Sequence, residues 1–152
     1  MTMHNELEKK IRHYLNGARK SVAYLATIDT DAGNIPEIRT MTLLECDWHF
    51  YIATGTGSRK ARELSKYPKT AVLVPLRDEK YCGYLRMTGT IQLMTDSETI
   101  RAITERSEYP INCHWKGVND PDLFFVQIIP DRVEFMAPGE DVATDVTSEF
   151  PR

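Results

Sequence analysis

The chain has 152 residues, three cysteines and a formal net charge of −3, with 41% hydrophobic and 27% charged residues. This composition predicts one globular domain with its own core and excludes collagen-like, disulfide-stapled and largely disordered classes. The acidic balance argues against a general nucleic-acid binder, and no apolar run is long enough to cross a bilayer. The first ten residues lack an apolar segment, so we expect no leader peptide and a cytoplasmic location.

The three cysteines, Cys46, Cys82 and Cys113, stand apart with no Cys-x-x-Cys spacing. Cys46 with His49, and Cys113 with His114, could each supply ligands. A zinc site needs about four convergent ligands, however, and no second group of ligands follows either pair. The sequence therefore predicts ordinary thiols and no metal site.

Apolar periodicity predicts a small β-rich domain. Residues 5–16 have helical spacing and are expected to form an amphipathic helix ending near Gly17. About six strands with three helices between and beside them favour closure into a barrel. The predicted strands cover residues 21–30, 35–45, 48–54, 70–76, 84–93 and 123–130, with 132–136 as an extension of the last.

The remaining elements follow from local signals. A helix is predicted over residues 58–67, ended by Pro68, and another begins at the capping-box pattern that starts at Thr95. Alternation slips near Gly89, as at a β-bulge. We expect residues 1–136 to form the domain and the acidic segment 137–152 to be a tail or an arm on a partner subunit.

The stretch 51–64 is the most informative segment for function, because a strand, a glycine turn and a helix start follow one another. Ser58 is a good N-cap, and Arg59 and Lys60 place positive charge on a first turn whose free amides already favour an anion. The glycines fit neither the dinucleotide-binding fingerprint nor the P-loop. The alternative is an ordinary capped helix with solvated basic residues.

Arg39 lies on the half-buried face of a predicted strand, together with Met41. An arginine in this position presents its guanidinium group to a phosphate or forms an internal ion pair. The sequence leaves both alternatives open, with Glu37, Glu45 or another carboxylate as the partner.

Together these segments, in this order along nearly the whole chain, resemble the pyridoxamine 5′-phosphate oxidase-like, FMN-binding split-barrel family. The resemblance implies a mainly β fold with flanking helices, a six-stranded antiparallel split β-barrel, and a homodimer with FMN at the subunit interface. It also implies that the FMN phosphate is held by Arg39, Ser58, Arg59 and Lys60. The ring and ribityl groups would be lined by Thr40, Met41, Thr42, Ala53 and Thr54.

Two departures distinguish the chain from the vitamin-synthesising oxidase. Leu44 stands where the oxidase has a lysine, and the chain ends without the oxidase's Trp-containing stretch. Pyridoxamine phosphate oxidation is therefore not expected. The chain looks more like the small family members described as general stress proteins or nitroimidazole-resistance-like flavin reductases.

The loop 109–118 supplies candidates for chemistry beside the cofactor. His114 is a candidate proton donor and Trp115 a candidate stacking residue, although such residues often only pack a loop against the core. Tyr84 and Arg86 are candidates for contacts with substrate or with the second subunit's flavin.

The predicted function is an FMN-dependent oxidoreductase that passes electrons from a reduced donor, NAD(P)H among the candidates, to a small-molecule acceptor. F420 in place of FMN is a variant of this prediction. The second predicted function is a non-enzymatic sensor or storage protein that binds flavin, F420 or haem. In a haem protein, His114 or His49 would be the axial ligand. The third predicted function is an oligonucleotide-binding barrel, which the overall negative charge disfavours. Its binding patch would comprise Arg59, Lys60, Arg62 and Lys66, with Tyr51 or Phe50 stacking on bases.

Overall fold

The structure is a computed structural model that describes residues 5–15 and 19–151. The predicted helix end near Gly17 lies outside these residues. The α-helices are α1 (Asn5–Tyr14), α2 (Arg59–Lys66) and α3 (Ser97–Ser107), and the strands are β1 (Lys20–Asp29), β2 (Ile35–Cys46), β3 (His49–Gly55), β4 (Lys69–Arg77), β5 (Cys82–Met94), β6 (Leu123–Met136) and β7 (Thr144–Asp145).

The first six strands form a closed antiparallel barrel. Their order is β3-β2-β1-β4-β5-β6, and β3 also pairs with β6, so the ring has no free edge among these strands. The two-residue strand β7 adds to β6. The predicted mainly β fold class, a six-stranded antiparallel split barrel with flanking helices, is confirmed.

The bulge predicted near Gly89 is present in the ladder between β5 and β6. The register shifts between Thr88 and Gly89, opposite Pro130. A Cβ atom on Gly89 would lie 2.0 Å from the carbonyl oxygen of Ile129, so no other residue fits without a backbone shift. The bulge also accommodates a proline, which cannot donate to the ladder, and β6 therefore continues as one strand through the predicted extension at 132–136.

Most predicted boundaries differ from the observed ones by one or two residues, and two of the differences have a clear local cause. Asp47 and Trp48 both have positive φ (51° and 64°) and form a two-residue hairpin loop, so Trp48 belongs to the turn and not to β3. Helix α3 has Asp96 as its N-cap, one residue after Thr95, because the Asp96 carboxylate accepts the backbone N–H of Thr99 at 3.1 Å.

The core has two parts. The larger part fills the barrel and is closed at one end by Ile11 of α1 and by Leu15, the residue after it. The smaller part lies outside the barrel, where Ile100 and Ile103 of α3 cover Leu44 and neighbouring apolar residues. Within the described residues, no helix has the length and apolar character needed to span a membrane.

The segment 137–152, predicted as a tail or an arm, packs on the barrel of its own chain as far as Pro151. Val146 and Phe150 are buried, and the Phe150 ring lies 5.6 Å from that of Trp48 in an edge-to-face contact. Two isolated apolar anchors produce no periodic pattern, which is why the sequence predicts no packed structure here.

Because Phe150 is a buried anchor, Phe150→Ala should lower the free energy of unfolding by about 3 kcal/mol, the scale of a large-to-small core substitution. Urea unfolding monitored by tryptophan fluorescence measures the change. Val142→Ala, at a side chain that is 76% exposed, serves as the control. An unchanged urea midpoint for Phe150→Ala would show that this segment does not stabilise the barrel.

Candidate functional site

A cleft of about 540 Å³ opens where β2 and β3 separate. The two strands pair only from Leu44–Tyr51 to Cys46–His49, after which β2 continues beside β1 and β3 pairs with β6. The divergence is the split in the barrel, and the start of α2 and the loop after α3 close its sides. The cleft is lined by Thr40, Met41, Thr42, Ala53, Gly55, Gly57, Ser58, Lys60, Tyr109, His114, Trp115 and Asp122.

The structure brings most of the predicted site residues together, although their distances along the chain are large. The predicted residues on the lining are Thr40, Met41, Thr42, Ala53, Ser58, Lys60, His114 and Trp115. Five others are not on it, namely Arg39, Thr54, Arg59, Tyr84 and Arg86.

Thr54 lies beneath the lining and orients Ser58. The Thr54 side chain is buried, and its hydroxyl forms a 2.8 Å hydrogen bond with that of Ser58. The Ser58 oxygen in turn accepts the backbone N–H of Ala61 at 3.1 Å and caps α2. The start of α2, with its outward amides and partial positive charge, therefore faces the cleft in a fixed orientation.

Among the described residues, Lys60 is the only lysine or arginine on the lining of the cleft. It is half-buried and forms no hydrogen bond or ion pair with a described residue. Burial lowers the pKa of its ammonium group, and the positive charge of Arg39 lowers it further. An anion in the cleft would supply the counter-charge that Lys60 lacks.

Arg39 forms the internal ion pair that the sequence left open, and its partner is Glu63. Its guanidinium group donates to Glu63 Oε1 at 2.7 Å and to Thr27 Oγ1 at 2.8 Å. Glu63 projects inward from α2 beside the apolar residues Ala61 and Leu64. The signal for this pair, an acidic residue at an inward-facing helix position, was present in the sequence, but its strand partner could not be identified there.

Arg59 is also held by carboxylates. It donates to Glu37 at 2.5 Å and to Asp29 at 3.3 Å, and its Nε lies 3.5 Å from Glu63 Oε2. These bonds raise the pKa of the Arg59 guanidinium group. Arg59 therefore links α2 to the β1–β2 hairpin and is not among the lining residues of the cleft.

Two further cations of the predicted oligonucleotide patch have acidic partners. Arg62 contacts Asp29 and Asp31, and Lys66 contacts Asp31 at 2.6 Å. The patch is therefore largely neutralised by carboxylates of the first hairpin.

The loop between α3 and β6 forms one wall of the cleft, called the loop wall below, and Asp122 attaches it to the end of β3. The sequence analysis did not identify Asp122. Backbone and side-chain oxygens of Asp122 accept the N–H of Thr56 at 3.0 Å, and the Thr56 hydroxyl also donates to its carboxylate. A Cβ on Gly55 would lie 3.1 Å from Asp122 Oδ2. The loop presents the edge-to-face pair of His114 and Trp115, with ring centroids 5.5 Å apart.

Tyr84 and Arg86 lie outside this cleft. Both are on β5, separated from Thr40 of β2 by strands β1 and β4. The Arg86 guanidinium group donates to Glu134 at 2.8 Å and lies 5.1 Å from the centre of the Tyr84 ring. These residues cannot contact a ligand in the cleft of their own chain.

No group of three or more His, Cys, Asp or Glu side chains suited to a metal ion occurs in residues 5–15 and 19–151. The free cysteines of this part of the chain, Cys46, Cys82 and Cys113, are partly or fully exposed.

Comparison with known proteins places this geometry in a family. A family model described as pyridoxamine 5′-phosphate oxidase matches residues 7–137. The chain belongs to the pyridoxamine 5′-phosphate oxidase family. Its split barrel, with the cleft between β2 and β3, is thus a variant of the family's fold.

Solved structures show the same fold at low sequence identity. General stress protein 26 from Bacillus anthracis is 21% identical with a TM-score of 0.69, over 93% of this chain and 99% of that chain. A protein related to general stress protein 26 from Clostridium acetobutylicum is 16% identical with a TM-score of 0.69, over 97% and 100%. A heme binding protein from Mycobacterium smegmatis is 13% identical with a TM-score of 0.73, over 92% of this chain and 57% of that chain.

The residues of the cleft fit a flavin mononucleotide. The cleft is within the size range of cofactor pockets, about 300–1,000 Å³. Its helix end carries the uncompensated Lys60 and the Ser58 cap, and its sides combine short polar residues with apolar and aromatic ones. This is a donor set for one phosphate group and a planar ring system.

The ion pairs of Asp29 predict how stability changes with pH. Burial alone would raise the pKa of Asp29, but the hydrogen bond from Arg59 and the charge of Arg62 outweigh it and hold this pKa below its usual value. A lowered folded-state pKa stabilises the fold above the unfolded-state value, and this contribution is lost as the pH falls through the folded-state pKa.

Asp29→Asn should therefore lower the free energy of unfolding near neutral pH, and the difference from wild type should shrink as the pH falls below about 5. Urea unfolding at several pH values measures it. Asp141→Asn is the control, since Asp141 is exposed and has no ion pair with a described residue. A difference that stays constant with pH would contradict the assignment.

Proposed function

We propose that this protein binds FMN in the cleft and acts as an oxidoreductase that passes electrons from a reduced donor to a small-molecule acceptor. The observation that carries the proposal is Lys60, a half-buried cation without a partner among the described residues, at the start of α2 in a member of this family. The flavin supplies the electron-transfer chemistry, and the protein binds and orients it.

The lining suggests which residues hold which part of the cofactor. Ser58, Lys60 and the first amides of α2 would bind the phosphate, because they bring positive charge and donors to one end of the cleft. The β2 residues 40–42 and Ala53 would line the ribityl chain and the ring. In this assignment Arg39 and Arg59 support the phosphate end from behind, held by their carboxylates.

The loop wall is the proposed place for the acceptor and the donor, with NAD(P)H a candidate donor. Trp115 offers an aromatic surface and shields the site from water, and the exposed imidazole of His114 is the candidate proton donor. Leu44, at the position of the oxidase's lysine, is fully buried under α3 and cannot contact a ligand. The proposed reaction is therefore not pyridoxamine phosphate oxidation.

We also propose that the protein is a homodimer whose second copy covers the outer face of β1 and β2. Val22, Tyr24 and Ile38 on this face are 65%, 40% and 72% exposed. Tyr24 pairs with Thr40, which lines the cleft, so the apolar face continues into the site. A second copy seated here would bury these side chains and complete the open side of the cleft, and Tyr84 and Arg86 are candidates for its contribution.

The direct test is the visible spectrum of the purified protein, followed by titration with FMN. Flavin bands, or saturable quenching of FMN fluorescence at about one per chain, would support the proposal. A Soret band would instead identify a haem protein, and binding of F420 in preference to FMN would change the cofactor. A protein that binds none of the three would contradict the proposed function.

Lys60→Ala should weaken FMN binding by about 1–3 kcal/mol, the scale of one charge-assisted contact, and should leave riboflavin binding nearly unchanged because riboflavin lacks the phosphate. Fluorescence titration of both ligands measures the effect. Lys80→Ala, at an exposed lysine outside the cleft, is the control. An equal loss for FMN and riboflavin would place the phosphate elsewhere.

Ile38→Glu should convert the dimer to a monomer and weaken FMN binding, because it buries a carboxylate in the proposed subunit interface. Sedimentation equilibrium measures the state of assembly. Val142→Glu introduces the same charge at a similarly exposed residue and should remain dimeric. A wild-type monomer, or an Ile38→Glu dimer, would exclude this interface.

A further inference from the structure

Asp122 brings a second charged group to the cleft. Among the residues that the structure describes, it is the only aspartate or glutamate on the lining, as Lys60 is the only lysine or arginine. Asp122 is exposed, and no ion pair joins it to Lys60. The cleft therefore offers a ligand two separate charged groups, a cation at the start of α2 and an anion on the loop wall.

Thr56 orients the Asp122 carboxylate. The Thr56 backbone N–H donates to Asp122 Oδ1 at 3.0 Å, and the Thr56 hydroxyl donates to the same oxygen. The other oxygen, Oδ2, has no hydrogen-bond partner among the described residues. It lies next to Gly55, where a Cβ atom would come within 3.1 Å of it. One carboxylate oxygen is thus held by the protein, and the other is left free beside the end of β3.

The backbone around Asp122 is fixed as well. The Asp120 carboxylate accepts the backbone N–H of Asp122 at 2.9 Å and that of Lys116 at 2.9 Å. The Leu123 N–H donates to the Asp120 carbonyl oxygen at 3.0 Å. Because the Asp122 carboxylate is already ordered, a ligand that binds to Oδ2 loses little free energy to the ordering of this side chain.

A free carboxylate oxygen accepts hydrogen bonds and donates none. The part of a ligand next to Oδ2 is therefore a hydrogen-bond donor, such as a hydroxyl group, whereas the part next to Lys60 is anionic. A phosphorylated molecule with a hydroxyl-bearing chain combines the two groups. FMN belongs to this class, because its ribityl chain carries hydroxyl groups between the ring and the phosphate.

We propose that Asp122 Oδ2 accepts a hydrogen bond from a hydroxyl group of this chain, so that Asp122 selects phosphorylated ligands with a hydroxyl-bearing chain. The inference rests on the proposed function and deepens it by assigning recognition of the chain to a residue of the loop wall. Hydrogen bonds to an ionised acceptor are about twice as strong as those between neutral groups, so the loss of this contact is measurable. Gly55 keeps open the space that Oδ2 occupies.

Two other roles are possible for Asp122, and three flavins separate them. FMN has the ring, the chain and the phosphate, riboflavin lacks the phosphate, and lumiflavin has the ring alone. A contact with the chain affects FMN and riboflavin and spares lumiflavin. If Asp122 only fastens the loop wall, its loss affects all three. If it acts on the phosphate through charge alone, its removal tightens FMN binding and leaves riboflavin unchanged.

The experiment titrates the full chain with each flavin and follows flavin fluorescence. Asp122→Asn keeps the shape and an oxygen that can accept from Thr56, but it replaces the free carboxylate oxygen with an amide N–H₂ group. Riboflavin binding should weaken by roughly tenfold, the scale of a hydrogen bond to a charged group. FMN binding should weaken by less, because a repulsion with the phosphate is removed as well. Lumiflavin binding should not change.

Two control variants remove the same charge elsewhere. Asp131→Asn, at an exposed residue that is not on the lining, should leave the binding of all three flavins unchanged. Asp120→Asn loosens the loop wall without touching the cleft lining, and any effect should be equal for the three flavins. An Asp122→Asn variant that behaves like Asp120→Asn would show that Asp122 only fastens the loop.

Thr56→Val tests the same contact through the residue that orients Asp122. Thr56 is not on the lining, so its substitution acts on the ligand through the carboxylate. Riboflavin binding should weaken by about two- to fourfold in the wild-type background and by less in the Asp122→Asn background, because coupled residues are not additive. Equal losses in the two backgrounds would contradict the proposal.

Failure of the proposed function is distinguishable from failure of this inference. If the wild-type protein binds none of the flavins, the proposed function is overturned, and the inference with it. If the wild-type protein binds riboflavin and Asp122→Asn binds it equally well, only the inference is overturned.

Discussion

The site depends on one constraint, the early separation of β2 from β3. A closed barrel requires β3 to pair with β6, while β2 remains bound along its length to β1. The two strands therefore share a ladder of three residue pairs and then diverge. Backbone of both strands is left facing an opening instead of a neighbour, and that opening is the cleft. The helix that follows β3 begins at its edge for the same reason, so the barrel's closure fixes the position of the proposed anion site.

The charged network behind α2 turns this opening into a defined site. Exposed ion pairs such as Lys66–Asp31 contribute little stability individually, generally below about 1 kcal/mol. A buried carboxylate is different, because Glu63 without its arginines would be an uncompensated charge in the core. Arg39 and Arg59 compensate that charge and so stabilise helix α2 in its position. The basic residues of the helix start hold the helix on the first hairpin, and Lys60 is left to face the cleft.

Sequence reasoning recovers what is encoded locally. Periodicity and turn residues predict the succession of strands along the chain, the bulge at Gly89 and the Ser58 cap. The family pattern predicts the residues of β2 and β3 that line the cleft. The partner of Arg39 could not be found in this way, because Glu63 lies 24 residues away on another element and nothing local ranks it above Glu37 or Glu45. The packing of residues 137–151 on the barrel could not be predicted from the sequence for a related reason. Phe150 is one of two isolated anchors, and its contacts, Trp48 and Phe50, lie about a hundred residues earlier.

The fold alone does not decide what the cleft binds. A heme binding protein shares this architecture at a TM-score of 0.73 with only 13% identity, and a likeness at this level shows the fold and not the ligand. The ligand then depends on the charge and shape at the ends of the split. Here the helix end has a capped first turn, one uncompensated lysine and two arginines withdrawn into ion pairs. In the proposed function, Lys60 and the first amides of α2 would balance the charge of the one phosphate group of the cofactor.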